Sequence, residues 1–231
     1  GLWFGWQAVP LWGWREWGIV LASAVTHLVY FNVLLKGYRE SDLTVVYPVA
    51  RGTGPLLAAT AAVLVLGESL GLLGLCGVLA VTGGVFMIAG GPRLWHRAHD
   101  PRQRQRMRAG LCWGGLTGVL IAGYTVIDGY AVKVMLLSPI LVDYLGNALR
   151  VPFMLPVLLR DRAGFATAWR TQWPHALLMA VLSPMAYVMV LYAVTMAPLS
   201  HVAPAREVSM LFAALLGGKL LGESDRGARL A

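Results

Sequence analysis

The sequence predicts an all-α membrane protein, a bundle of apolar helices. Three observations predict this class. Of the 231 residues, 58% are hydrophobic and only 13% are charged, whereas a soluble domain carries about 25% charged residues. The apolar residues fall in stretches of about 20, the length that crosses the hydrocarbon core as a helix. These stretches are too long for barrel strands and lack the two-residue alternation of a transmembrane barrel. Finally, one charged apolar segment occurs twice at a fixed spacing, so the chain carries an internal duplication.

The elements follow in order. Gly1 to Gly13 is rich in tryptophan and short of charge, a composition suited to headgroup depth. A first span covers about Glu16 to Leu35 and carries His27 and Tyr30 one turn apart. The second, VVYPVARGTGPLLAATAAVLVLGES, runs from Val45 to Ser69. It holds Arg51 between Pro48 and Pro55, beside Gly52-Thr53-Gly54. Proline removes a backbone donor and glycine loosens the helix, so a break or bend is expected at Arg51. Gly67-Glu68-Ser69 reads as a corner, with Glu68 capping the helix that follows.

A third span, Leu70 to Gly90, is lined with Gly71, Gly74, Gly77, Gly83 and Gly84, read as a packed face. Arginines 93, 97, 102, 104, 106 and 108 then fall in one loop up to Arg108. The fourth span, Ala109 to about Val134, has Gly110, Gly114 and Gly118 on one stripe. A neighbouring stripe carries Tyr124 and Asp128. The fifth, Pro139 to Leu159, places Asp143, Asn147 and Arg150 on one face. Arg160 to Thr171 reads as a polar loop. The sixth span covers Pro174 to about Met196, with a kink expected at Pro184. The seventh covers Pro204 to Leu221. If Pro204 begins that helix, Arg206 and Glu207 occupy its first, electropositive turn. As neighbours they project about 100° apart and point to different places.

The seventh span repeats the plan of the second. Arg206 follows Arg51, and Glu223 follows Glu68, by the same 155 residues. On the residues YPVARGTGPLL…LGES and APAREVSMLFAALLG…LLGES, the chain resembles the two EamA repeats of the drug/metabolite transporter superfamily. The resemblance runs from about Trp14 to the end. It implies ten helices in two inverted five-helix repeats around a central cavity, seven of them present. Residues 1–91 would be the remainder of the first repeat, 92–108 a basic inter-repeat loop, and 109–231 the second repeat. Two helices would then precede Trp14 and one would follow Glu223.

The net charge of +8 gains its meaning from location. The arginine cluster reads as a topology signal or lipid-headgroup contact rather than a nucleic-acid surface. Positive-inside counting puts the basic loop in the cytoplasm. The family's cytoplasmic termini would put it outside, and the count is preferred. Cys76 and Cys112 lie inside spans and read as packing residues. His96 and His99 among arginines make a weak metal site.

No nucleotide-binding, hydrolase or metalloprotease signature occurs in the chain. Charges at membrane depth cost several kcal/mol unless they pair or face a wet cavity. The reading is therefore a secondary transporter in the inner or plasma membrane, not an enzyme, with no cofactor and no metal. Its partners are a small-molecule substrate, a proton or counter-substrate, and membrane lipids. Export of small polar or amphipathic metabolites, amino-acid-like compounds or drugs, is what the resemblance implies. Arg51 and Arg206 would attract an anionic group, and Tyr47, Tyr124 and Asn147 would orient it. Glu207 or Asp128 would carry the coupling proton. The rival classes are a membrane enzyme acting on a lipid-linked substrate and a non-transporting membrane sensor or subunit.

Overall fold

The computed structural model describes residues 7–88 and 100–209. A 3-10 turn at Val9–Leu11 precedes seven α-helices among the described residues. They are α1 (Trp14–Glu40), α2 (Leu43–Leu66), α3 (Leu72–Ile88), α4 (Pro101–Lys133), α5 (Pro139–Arg160), α6 (Arg162–Met196) and α7 (Leu199–Ala205). Five of these, α1, α2, α4, α5 and α6, are long and apolar enough to cross a membrane. The all-α class and the multi-pass character follow directly. The third expected span, α3, is apolar but only 17 residues long. Most of the seventh, Pro204 to Leu221, lies outside the described residues, as do Glu223, His96, His99, Arg93 and Arg97.

Two helices start earlier than their apolar residues suggest. Helix α4 begins at Pro101, so Arg102, Arg104, Arg106 and Arg108 ride on its first turns rather than in a loop. Helix α6 begins at Arg162, so most of the polar stretch before Pro174 is helical. Arginine, alanine and glutamine are good helix formers, and a helix satisfies its own backbone on either side of the membrane surface.

Of the break or bend expected at Arg51, the break is absent. Helix α2 is continuous through Pro48 and Pro55. Neither proline donates an amide hydrogen, so the carbonyls of Thr44 and Arg51 lose their i+4 donors. Apolar helices tolerate such gaps where neighbouring groups cover the freed backbone. Helix α2 ends instead at Gly67, which takes the left-handed conformation (φ 65°, ψ 24°) that glycine reaches without a Cβ penalty.

The chain divides into two compact units. One comprises residues 1–28 and 127–196, the other residues 29–126 and 197–231, so each draws on both halves of the sequence. In the first unit α5 packs on α6. Much of that pair's surface is bare hydrocarbon: Val151, Phe153, Val157, Leu178, Met179 and Val181 are all exposed. Water does not tolerate so large an apolar surface, whereas lipid does.

In the second unit α2 is the centre, packed against α3 and α7 and, through glycines, against α4. A Cβ on Gly114 would lie 2.9 Å from Val49 Cβ and 3.0 Å from the Val46 carbonyl oxygen. One on Gly118 would collide with Thr53 Oγ1, and one on Gly110 with Ser41 Oγ. The Gly110, Gly114, Gly118 stripe is thus the close-packed face expected of it. The glycines of α3 are not: among the described residues a Cβ at Gly77, Gly83 or Gly84 meets nothing within 4 Å, and only Gly74 meets side chains beyond its own helix, those of Leu70 and His201.

The contacts also fix directions. Glycines 110, 114 and 118 meet residues 41–45, 46–49 and 53–54 in rising order, so α2 and α4 run the same way. Glu68 beyond the end of α2 touches Leu199 and Ser200 at the start of α7. Ala58 meets Ala203, and Arg51 meets Glu207 beyond the end of α7. Helices α2 and α7 are therefore antiparallel.

Candidate functional site

Three charged residues of the second unit, Arg51, Arg206 and Glu207, converge where α2 faces the end of α7. Arg51 Nη1 lies 3.4 Å from Glu207 Oε1, and Arg206 Nε lies 3.5 Å from the same oxygen. The Glu207 side chain is fully buried, that of Arg206 is 14% exposed and that of Arg51 29%. Two guanidiniums thus share one carboxylate oxygen, and the three side chains carry a net charge of +1. Glu207 Oε2 and Arg206 Nε, both buried, make no hydrogen bond among the described residues.

The sequence reading separated Arg206 from Glu207 on a helix started by Pro204. The structure corrects it. Pro204 lies inside the last turn of α7, and Arg206 is the C-cap of that helix. Arg206 and Glu207 form a turn rather than consecutive helical positions, so the two side chains can meet. The electropositive helix end lies instead at Leu199 and Ser200, whose amides donate to Glu68 Oε1 (2.7 Å) and Oε2 (2.9 Å). Glu68 therefore caps a helix 131 residues away.

Tyrosines surround the arginine. Tyr47, one turn before Arg51 on α2, puts its ring 5.4 Å from the guanidinium carbon, a cation–π contact. Tyr124 on α4 is buried and packs edge-to-face on Tyr30 of α1 at 5.5 Å. Tyr30 and Tyr124 lie within electrostatic reach of Arg51, and Tyr30 also of Arg206. Tyr38, which the sequence reading did not single out, stands near both Arg51 and Tyr47. Of the expected residues, then, Arg51, Tyr47, Tyr124, Arg206 and Glu207 share one neighbourhood.

Asp128 and Asn147 belong to the other unit. Asp128 is 1% exposed, and the Tyr187 hydroxyl donates to its Oδ2. Ser23 approaches the same carboxylate, yet Oδ1 accepts no hydrogen bond among the described residues. The His27 ring meets Tyr187 edge-on at 5.7 Å. Its Nδ1 lies 3.0 Å from the Ser23 carbonyl oxygen, which can only accept, so Nδ1 carries the proton. Asn147 turns its amide onto its own helix, donating to the Asp143 carbonyl at 2.9 Å. Arg150 likewise donates to the Gly146 carbonyl. Tyr187 is the partner the sequence did not signal: it stands 59 residues from Asp128, and nothing in its local pattern points there.

Chemically, the two carboxylates differ. Glu207 lies between two guanidiniums, both on its Oε1. Asp128 has a phenol and a hydroxyl beside it, groups that serve a protonated or an ionised carboxyl alike. Among the described residues no three His, Cys, Asp or Glu side chains gather as a metal site. Cys76 and Cys112 are free thiols. Comparison with protein-family models, with curated proteins and with solved structures returned no match.

Proposed function

We propose that the protein is a secondary transporter of the drug/metabolite class, built on two inverted EamA-like repeats and moving small polar or amphipathic metabolites by alternating access. The observation that carries the reading is the Arg51–Glu207–Arg206 cluster, buried among apolar helices. Charged groups are expensive at membrane depth, and those retained there usually mark substrate or ion pathways. The antiparallel course of α2 and α7 is what an inverted duplication of the Arg-bearing helix requires. Arg51 and Arg206 would hold the substrate's anionic group, with Tyr47 and Tyr124 against its body.

Within this reading Asp128, rather than Glu207, carries the coupling proton. Asp128 is buried with the Tyr187 hydroxyl on Oδ2 and no hydrogen bond on Oδ1 among the described residues, whereas Glu207 is engaged by two guanidiniums. The test is uptake and efflux of a metabolite panel in proteoliposomes reconstituted with the protein. Saturable flux lost in Arg206→Ala is the expected result. Flux no greater than in protein-free liposomes across the panel would reject the transporter reading, leaving the membrane enzyme and the sensor or subunit as the alternatives.

A further inference from the structure

We propose that Glu207 is a built-in stand-in for the ligand's anionic group, and that a small organic carboxylate binds by taking Arg51 from it. The proposal rests on the transporter reading for its physiological meaning, and on the geometry of the cluster for its chemistry. A charge-assisted N–H···O bond closes at about 2.7–2.9 Å. Both guanidinium contacts to Glu207 are longer, at 3.4 and 3.5 Å, and both fall on one oxygen. The second oxygen, Oε2, is buried with no partner among the described residues, as is Arg206 Nε. The cluster is thus held together without being satisfied, and its surplus charge of +1 is open to one more anion.

Which arginine changes partner follows from exposure and connectivity. Arg51 is twice as exposed as Arg206 and reaches Glu207 from another helix. Arg206 adjoins Glu207 in the chain and stays with it whatever else moves. A monoanion placed at Arg51 leaves two ion pairs, ligand with Arg51 and Glu207 with Arg206, and brings the local charge to zero. The planar guanidinium fork matches a carboxylate in two-point contact. The Tyr47 face and the Tyr30–Tyr124 pair beside it suit a ligand with a flat apolar body.

Calorimetric titration of the purified protein with benzoate tests the proposal, with benzylamine and benzyl alcohol as cationic and neutral controls of the same size. Benzoate should saturate a single site and the controls should not. Glu207→Gln removes the internal competitor and should tighten benzoate about tenfold. Glu207→Asp keeps the charge but shortens its reach and should tighten binding less. Arg51→Ala should abolish it. The proposal is overturned if benzoate does not saturate the wild-type protein, if benzylamine binds as tightly, or if neither substitution at position 207 tightens benzoate. Should Glu207→Gln fail to fold, Glu207→Asp and the wild-type arms decide the question. Benzoate binding without flux of any metabolite keeps this site and rejects transport; flux without benzoate binding rejects this site alone.

Discussion

Gly114 and Gly115 are neighbours on α4 with opposite surroundings, and that contrast makes a quantitative test of the packing. A Cβ at Gly114 would lie 2.9 Å from Val49 Cβ and 3.0 Å from both Val49 Cγ1 and the Val46 carbonyl oxygen. Carbon pairs rest at about 3.5–4.0 Å, so α2 and α4 would have to part by more than half an ångström. Backbone and Cβ atoms cannot swing aside as a side-chain tip can. A Cβ at Gly115 meets nothing within 4 Å among the described residues. Replacing either glycine by alanine gains the same helix propensity, about 0.8–1 kcal/mol. The difference between the two variants is therefore overpacking alone, about 1–3 kcal/mol. At about 2–4 °C per kcal/mol for a chain of this size, Gly114→Ala should melt at least about 2 °C below Gly115→Ala in the same detergent. Gly114→Leu should lower the folded yield outright. Indistinguishable melting points for the two alanine variants would show that α2 and α4 do not pack through this stripe.

Other consequences are as definite. Glu68→Ala deprives Leu199 and Ser200 of their acceptor; at about 1.5–3 kcal/mol for a hydrogen bond to a charged group, the melting temperature should fall by several degrees, and Glu68→Gln should fall less because one oxygen remains. Equal stability in all three proteins would show that Glu68 does not cap α7. Asp128→Asn should abolish transport driven by a pH gradient while sparing substrate exchange, and Tyr187→Phe should weaken the first without removing it. Gradient-driven flux at the wild-type rate in Asp128→Asn would assign the proton elsewhere.

Composition and length made the fold class legible, because the bilayer leaves few alternatives to apolar helices. The glycine stripe on α4 was legible for a related reason: three glycines at four-residue steps form a groove only a close neighbour can fill. The same logic fails on α3, most of whose glycines meet nothing within 4 Å among the described residues. Glycine content alone does not tell a groove from a weak helix; the spacing does. Helix ends were least legible. Hydropathy sees where lipid ends, and α4 and α6 continue past that point because arginine-rich stretches are good helix formers. The prolines of α2 suggested a break for the converse reason, since a lost amide donor is visible in sequence while the groups covering the freed carbonyl are not.

The site was legible in part, and the division follows from sequence distance. Arg51 and Arg206 stood out because a charge in an apolar run is conspicuous and because the two recur 155 residues apart. That both reach Glu207 is not legible, since nothing local shows an arginine 156 residues earlier at that carboxylate. The corner at Gly67-Glu68-Ser69 makes Glu68 legible as a cap, whereas its partners Leu199 and Ser200, 131 and 132 residues away, are not legible. The two hidden pairings have one source. Each carboxylate belongs to the seam between α2 and α7, and that seam exists only after the chain has returned antiparallel upon itself. At one end of the seam Glu68 meets backbone amides that have no other acceptor, and the contact is short and complete. At the other end Glu207 meets two guanidiniums through one oxygen, at longer distances, with its second oxygen unmatched. A helix seven residues long is thus held firmly where it begins and loosely where it ends. The loose end is also where the charge is in surplus, which is why a ligand is expected there and not at Glu68.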